Sequence, residues 1–215
     1  MVKSLDFIKQ VLKGKSVYRI LFNWQVQENC AGLTGEVLDL AAGAGASYQR
    51  YLPGGLKVLK TDFYADNKPD KIVDFNQPLP FEDEAIENVF LFNALNIARK
   101  PEALLAEIYR ILKPGGQLFL SSLFMANEMA EPKDYWRHGY DGLLKELQEA
   151  GFQEIKIHRI GERFSAAAHL LHPLWGFDFV RLFVFALALL LDRLIPKKLK
   201  KRYPCPIGYF CVVRK

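Results

Sequence analysis

The stretch EVLDLAAGAG at residues 36–45 sets a carboxylate, Asp39, directly before a loop of alanines and glycines. Small residues after a buried strand let the backbone approach a ligand closely. A dinucleotide bound there would bring its pyrophosphate beside the Asp39 carboxylate, which would repel it. Tyr48 also stands where the dinucleotide-binding pattern needs Gly or Ala. The stretch therefore predicts a ligand that carries positive charge, and it argues against NAD.

The elements that must position this loop alternate between strands and helices. Seven apolar runs have the length and composition of strands, at residues 36–41, 56–62, 70–75, 86–94, 116–124, 153–160 and 208–214. Helical patterns at 101–112 and 140–150 each end at Pro or Gly. This alternation predicts an α/β fold, a doubly wound and mostly parallel sheet with helices on both faces.

The length of the chain predicts one domain over residues 1–215, because half of its residues are hydrophobic and can form one substantial core. We divide it into N-terminal helices at 1–35, a ligand-binding core at 36–160, an apolar and basic helical insertion at 161–206 and a final strand at 207–215. In the first segment, Tyr18, Phe22 and Trp24 are predicted as core residues rather than as a lid over the ligand.

Cysteine content and charge exclude several classes of protein. Cys30, Cys205 and Cys211 are an odd number without C-x-x-C spacing, and His169 and His172 lack a third ligand, so neither a disulfide framework nor a metal site is predicted. A reducing, cytoplasmic compartment fits this content. The net charge of +5 is concentrated near the C-terminus and is not typical of a nucleic-acid-binding protein. We expect no nucleic acid partner.

The glycine loop carries a family resemblance. Asp39 followed by Ala41, Gly43 and Gly45 resembles the first motif of the class I S-adenosylmethionine-dependent methyltransferases, an acidic residue and then G-x-G-x-G, with alanine replacing the first glycine. The resemblance continues over residues 36–122 almost without gaps. It implies a Rossmann-like sheet of seven strands whose last strand is antiparallel, and it implies S-adenosylmethionine as the cofactor.

The resemblance also implies roles for residues beyond the loop. Asp62 ends the second strand, where the family holds the ribose hydroxyls with a carboxylate, and Phe63 follows it in the site. Asp74 would accept a hydrogen bond from the adenine amino group, and Phe75 would pack on the ring or donate its backbone N–H. Asn93 would face the methionine part. Taken singly, Asp62 and Asp74 have the alternative of being ordinary turn aspartates.

A second group of candidates follows the fifth strand. Residues 134–138, Asp-Tyr-Trp-Arg-His, resemble a D-Y-W-R stretch of a subset of these enzymes. We predict Arg137 and His138 as catalytic residues, and Tyr135 and Trp136 as contacts to the acceptor. The alternative is that the aromatic residues brace the sheet and that His138 faces solvent.

The resemblance implies methyl transfer, for which aligning the acceptor with the methyl group is the main requirement, with a base added for a hydroxyl acceptor. We expect a small-molecule or lipid-linked acceptor. Two alternatives stay open: a non-catalytic S-adenosylmethionine-binding regulator of the same fold, and a protein or RNA methyltransferase. The absence of an N-P-P-Y type tetrapeptide and of a distributed basic surface counts against the second.

The insertion between the last two predicted strands combines an apolar segment with a basic cluster. The segment FVRLFVFALALLLDRLI at 179–195 would span about 25 Å as a helix, too short for an ordinary bilayer core, and five basic residues follow within 197–202. An apolar helix beside a basic cluster suits an anionic membrane surface. We therefore predict peripheral membrane contact through 179–202. A buried helix or a homodimer interface is the alternative.

Overall fold

A single seven-stranded sheet forms the centre of the molecule in a computed structural model, which describes residues 2–44 and 46–215. The strands are β1 (Glu36–Asp39), β2 (Lys57–Asp62), β3 (Lys71–Ile72), β4 (Ile86–Phe92), β5 (Leu112–Leu123), β6 (Gln153–Ile160) and β7 (Gly208–Arg214). They lie in the order β3-β2-β1-β4-β5-β7-β6. Strand β7 pairs antiparallel with both β5 and β6, and the pairings among β1 to β5 are parallel. The predicted fold class is confirmed.

Helices cover both faces of the sheet. They are α1 (Val2–Leu12), α2 (Val17–Asn29), α3 (Pro101–Ile111), α4 (Tyr140–Glu149), α5 (Arg163–Leu170), α6 (Asp178–Leu194) and α7 (Lys197–Arg202). The buried residues of α3 and α4 form one core with the sheet, and those of α1, α2, α5 and α6 form the core on the other face. Because parallel strands are covered on both sides, residues 89–92 of β4 and 118–120 of β5 are all apolar and buried.

The start of β5 differs from the prediction. The sequence K-P-G-G at 113–116 was expected to separate a helix from a strand, but β5 already begins at Leu112 and runs through these residues. A shift in register against β4 accommodates them. Gly116 is required there, because a Cβ atom would lie 2.9 Å from the carbonyl oxygen of Glu87. The glycines thus form a bulge inside the sheet instead of ending the helix.

The insertion between β6 and β7 consists of α5, α6 and α7. Helix α6 packs on α5 and α1. Its buried Asp192 accepts hydrogen bonds from the backbone N–H groups of Phe164 (2.8 Å) and Ser165 (3.1 Å), which satisfies the first turn of α5. This contact explains an aspartate near the end of an otherwise apolar helix. Within the described ranges, none of the helices combines the length and the hydrophobicity needed to cross a bilayer.

Candidate functional site

A cavity of about 380 Å³ lies beyond the carboxyl ends of β1, β2 and β4. In open α/β sheets this edge is where ligands bind. Six of the residues predicted to bind the cofactor line it, namely Ala41, Asp62, Phe63, Asp74, Phe75 and Asn93, and Tyr135 of the D-Y-W-R stretch closes one side. We call it the first chamber. The structure therefore brings together most of the predicted site from segments far apart in the sequence.

The glycine loop accepts the alanine without backbone strain. Ala41 is not among the described residues with positive φ, whereas Gly43 has φ +61° and needs the freedom of glycine there. The backbone N–H of Gly43 donates to Asp62 Oδ2 at 2.9 Å, which fixes the loop against the end of β2. Gly43 lines a smaller neighbouring cavity, and Gly45 lies outside the described residues.

Asp39 is placed differently from the prediction. Its carboxyl is fully buried behind the loop and does not line the first chamber. Oδ2 accepts the hydroxyl of Tyr48, and Oδ1 is buried without a partner among the described residues. Burial raises the pKa of Asp39 to about 7, in spite of the opposing hydrogen bond from Tyr48. The predicted carboxylate facing a cationic ligand is thus a buried carboxyl that holds the loop through Tyr48.

Asp62 connects the loop, β2 and the turn that follows. Besides Gly43, its carboxylate accepts the backbone N–H of Tyr64 and the side-chain N–H of Asn67 at Oδ1, each at 2.9 Å. Only 7% of its surface is exposed, and it lines both the first chamber and the smaller neighbouring cavity. Each carboxylate oxygen has two lone pairs, so Oδ2 has capacity for a further donor from a ligand. This geometry suits a ribose hydroxyl.

Aromatic side chains flank the far end of the chamber. Phe63 is half exposed and meets Tyr64 edge to face, with ring centroids 5.2 Å apart, while Phe75 is buried on the other side. Asp74 accepts the backbone and side-chain N–H groups of Asn76 at Oδ1 only. Its second oxygen has no side-chain or backbone donor within the described part of the chain. An exposed ring, a buried ring and a free carboxylate oxygen fit a purine with an exocyclic amino group.

Asn93 stands at the end of β4 in a left-handed conformation, with φ 55°. Its Oδ1 accepts two hydroxyl groups, one from Tyr18 and one from Ser121 at 3.2 Å. Burial raises the pKa of Tyr18 to about 12, so the phenol stays protonated and donates. With Oδ1 occupied, the amide turns its NH₂ group to the chamber, which Asn93 lines. Because two hydroxyl groups donate to the same amide atom of Asn93, that atom is assigned as the oxygen.

A second chamber of about 430 Å³ adjoins the first at Tyr135. Apolar and polar groups contribute about equally to its walls, which are formed by Phe124, Met125, Ala126, Tyr135, Trp136 and Leu170 together with Glu128, Asp134 and Arg137. Arg137 forms a two-point ion pair with Asp134, which also accepts Asn96 Nδ2 at 3.0 Å. Burial would raise the pKa of Asp134, but the hydrogen bonds from Arg137 and Asn96 outweigh it and lower the pKa. The charges in this chamber are therefore largely neutralised.

The remaining residues of the D-Y-W-R stretch have distinct positions. Trp136 lines the second chamber and donates its indole N–H to the carbonyl of Ala98 at 2.9 Å. Arg137 is held by Asp134, so its role is first to fix the loop. The prediction of His138 as a catalytic residue is not supported, because it is 6% exposed and lines neither chamber. Its ring packs on Trp136, and its Nε2 lies 3.2 Å from Glu146 Oε1, within ion-pair distance.

Two other imidazoles belong to the insertion. His169 packs on the ring of Tyr18 with centroids 5.7 Å apart, and burial lowers its pKa to about 4. His172 stacks on Phe185 at 5.9 Å, and burial lowers its pKa also. Both are neutral near pH 7 and serve as packing groups. Among residues 2–44 and 46–215, no three side chains are grouped as metal ligands.

Several site residues were missed at the sequence level. Tyr18 was predicted as core, which it is, but its hydroxyl also reaches Asn93, 75 positions away in the chain. Nothing in the local sequence signals such a contact. Asn67 could have been found, because it follows the strand-end Asp62 by five residues within a polar turn. Leu170 could not, because its place at the chamber depends on how α5 packs.

The residues present fit S-adenosylmethionine. Asp62, Asp74 and Asn93 offer a separate polar contact to the ribose, the adenine and the amino acid part, and Phe63 and Phe75 offer apolar ring contacts. Asp39 keeps one buried oxygen without a partner beneath the loop. Together these side chains span a chamber whose volume lies in the usual range for cofactor sites.

Comparison with known proteins agrees with this geometry. Residues 38–120 match a family model described as a methyltransferase domain. Demethylmenaquinone methyltransferase from Renibacterium salmoninarum is 35% identical over 96 residues, which are 40% of this chain and 40% of that protein. Thiol S-methyltransferase TMT1B from Homo sapiens is 29% identical over 179 residues, 68% of this chain and 72% of that protein. The chain thus matches less than half the length of the first relative.

The fold has a solved counterpart over nearly its whole length. The crystal structure of a SAM-dependent methyltransferase from Archaeoglobus fulgidus is similar with a TM-score of 0.61 and 16% identity, covering 92% of this chain and 94% of that one. At this identity the likeness concerns the fold alone.

Proposed function

We propose that this chain is a class I S-adenosylmethionine-dependent methyltransferase and transfers the methyl group of S-adenosylmethionine to an apolar small-molecule acceptor. One observation carries the proposal. A chamber whose polar groups fit the cofactor adjoins, at Tyr135, a second chamber that carries several aromatic and aliphatic side chains and in which Asp134 and Arg137 pair with each other. The two meet where a methyl donor and an acceptor must come into line.

The bound cofactor supplies an electrophilic methyl group on a sulfonium with a good leaving group. The chain then has to bind, orient and exclude water. Asp62 and Asp74 hold the polar parts, the Asn93 amide donates at the end of β4, and Tyr135 separates the two ligands. Alignment of this kind contributes a large share of the acceleration in such displacements.

The acceptor class follows from the groups that the second chamber lacks. Among the described residues that line it, Glu128 is the only carboxylate or guanidinium without an ion-pair partner, and it is solvent-exposed. A hydroxyl would need a strong base, whereas a thiol is far more acidic than an alcohol and forms its anion with less help. The similarity to the human thiol S-methyltransferase TMT1B supports the same class. We propose an apolar thiol as the first acceptor to test.

We further propose that the natural acceptor is lipid-linked and is met at the cytoplasmic surface of a membrane. Leu170 lines the second chamber, and Leu171 and Leu174, which follow it, are exposed. An apolar rim of this kind supports entry of an acceptor with an apolar tail.

The test is transfer of labelled methyl from S-adenosylmethionine to a long-chain alkyl thiol, with a short polar thiol for comparison. We expect turnover of the alkyl thiol and a much higher KM for the polar one. Leu170→Gln should raise the KM for the alkyl thiol, and the control Ile72→Gln, at an exposed position on β3 that lines neither chamber, should leave it unchanged. No transfer to the thiols or to demethylmenaquinone, from a protein that binds the cofactor, would refute the proposal and leave a binding role.

A further inference from the structure

Helix α6 exposes a continuous apolar stripe although its other side is already packed. Phe179, Phe183, Leu187, Leu190 and Leu194 recur at spacings of three and four residues and face solvent, with Phe179 72% and Phe183 68% exposed. The opposite side of the helix buries its apolar residues in the core shared with α1, α2 and α5. The exposed stripe therefore exceeds what folding of this chain requires.

Helix α1 extends this surface. It packs against α6, and its residues Phe7 and Val11 lie in the same core as the buried side of α6. On its outward side, Leu5, Ile8 and Leu12 are exposed at helical spacing. Two neighbouring helices that bury their inner sides in one core turn their outer sides the same way. We call these exposed residues of α1 and α6 the outer apolar face.

Positive charge flanks the outer apolar face at the C-terminal end of α6. Helix α7 follows α6 directly and consists of KKLKKR, with its lysines and arginine largely exposed. Residues 163–202 contain eight Lys and Arg residues against two Asp, so this one segment accounts for the excess of positive charge in a chain of net charge +5. Of the two aspartates, one pairs with Arg181 and the other is buried under α5.

We propose that the outer apolar face and α7 form a docking surface for an anionic lipid bilayer. The inference rests on the proposed function and names the partner that would present a lipid-linked acceptor. An apolar face flanked by basic residues is complementary to a bilayer with anionic headgroups. A second copy of the chain is a poorer partner, because face-to-face pairing would bring two basic clusters together.

The docking surface also leads to the acceptor chamber. The segment between α5 and α6 carries Leu171, Leu174 and Phe177, all exposed, and it joins the chamber residue Leu170 to the start of the α6 stripe. An acceptor with an apolar tail would therefore pass from the bilayer to the second chamber along apolar surface.

Co-sedimentation with vesicles tests the docking surface. We expect the chain to bind vesicles of phosphatidylcholine mixed with phosphatidylglycerol, to bind pure phosphatidylcholine far less, and to lose binding as salt rises. Changing Lys197, Lys198, Lys200 and Lys201 together to Gln should lower the partition coefficient by about fivefold per charge. The double variant Phe179→Ser, Phe183→Ser should lower it by about tenfold or more.

Matched controls change equally exposed residues elsewhere. Ile72→Ser on the edge strand β3, and a fourfold Lys→Gln variant at 57, 100, 145 and 156, should bind vesicles as the unchanged chain does. A chain that stays in the supernatant with anionic vesicles overturns the inference. The inference is also overturned if light scattering shows a homodimer that the double variant Phe179→Ser, Phe183→Ser converts to a monomer.

Activity in solution separates this inference from the proposed function. Methyl transfer to a soluble alkyl thiol without vesicles should be the same in the docking variants and in the unchanged chain. Normal turnover without vesicle binding would refute the docking surface alone, and vesicle binding without turnover would refute the proposed function alone.

Discussion

Replacing Asp62 with asparagine should weaken cofactor binding more than its conservative shape suggests. The Asp62 carboxylate accepts Gly43 N–H at Oδ2, and Tyr64 N–H together with the Asn67 amide at Oδ1. Asparagine keeps one acceptor oxygen and turns an NH₂ group toward N–H donors on the other side. At least one hydrogen bond to a charged acceptor is lost, and the glycine loop or the turn after β2 must shift.

A hydrogen bond to a charged group contributes about 1.5 to 3 kcal/mol. If the ribose hydroxyls share this acceptor, the dissociation constant for S-adenosylhomocysteine should rise by roughly 10- to 150-fold. Isothermal titration calorimetry measures it, and a normal circular dichroism spectrum shows that the fold is kept. The matched control is Asp70→Asn. Asp70 also accepts a backbone N–H, from Lys60 at 2.8 Å, but it does not line the first chamber. Equal affinities in Asp62→Asn and the unchanged chain would refute the assignment.

Three further predictions concern residues around the chambers. Tyr18→Phe removes a donor from Asn93 Oδ1, so kcat/KM should fall by roughly tenfold in steady-state assays, and unchanged kinetics would contradict the positioning role. The Asp39 pKa of about 7 exceeds its unfolded value of about 3.9, so the stability of the cofactor-free chain should fall as pH rises between them. Asp39→Asn should lack that fall in calorimetric scans. His138→Gln should lower Tm and leave kcat and KM unchanged, whereas a large fall in kcat would restore the catalytic role.

Much of the fold was predictable, because strand and helix periodicities are local. The strands β6 and β7 agree with their predicted bounds, and β1, β2 and β4 differ by a few residues. The predicted length of β3, residues 70–75, was too great, since only Lys71–Ile72 pair as a strand at the edge of the sheet. The start of β5 was missed, because a bulge through K-P-G-G is set by its pairing with β4 and has no local signal of its own.

The site was predictable where it is built from strand ends. Topology alone brings Asp62, Asp74 and Asn93 to one edge, so order in the sequence was enough to group them. The direction in which each side chain points could not be predicted in the same way. Asp39 and His138 were predicted to face a ligand because of their residue types, but packing buries both side chains. Asp39 lies against Tyr48, and His138 lies against Trp136.

Titration of the chain with S-adenosylhomocysteine and, separately, with NAD tests the central claim most directly. The first chamber offers carboxylates and an amide to an adenosyl amino acid. The sequence of the loop argues against a dinucleotide, because Tyr48 stands where that pattern needs Gly or Ala. We predict one site with a dissociation constant on the order of micromolar for S-adenosylhomocysteine, weakened by Asp74→Ala, and no heat from NAD. Binding of NAD, or S-adenosylhomocysteine binding that Asp74→Ala and Asp62→Asn leave unchanged, would contradict the account.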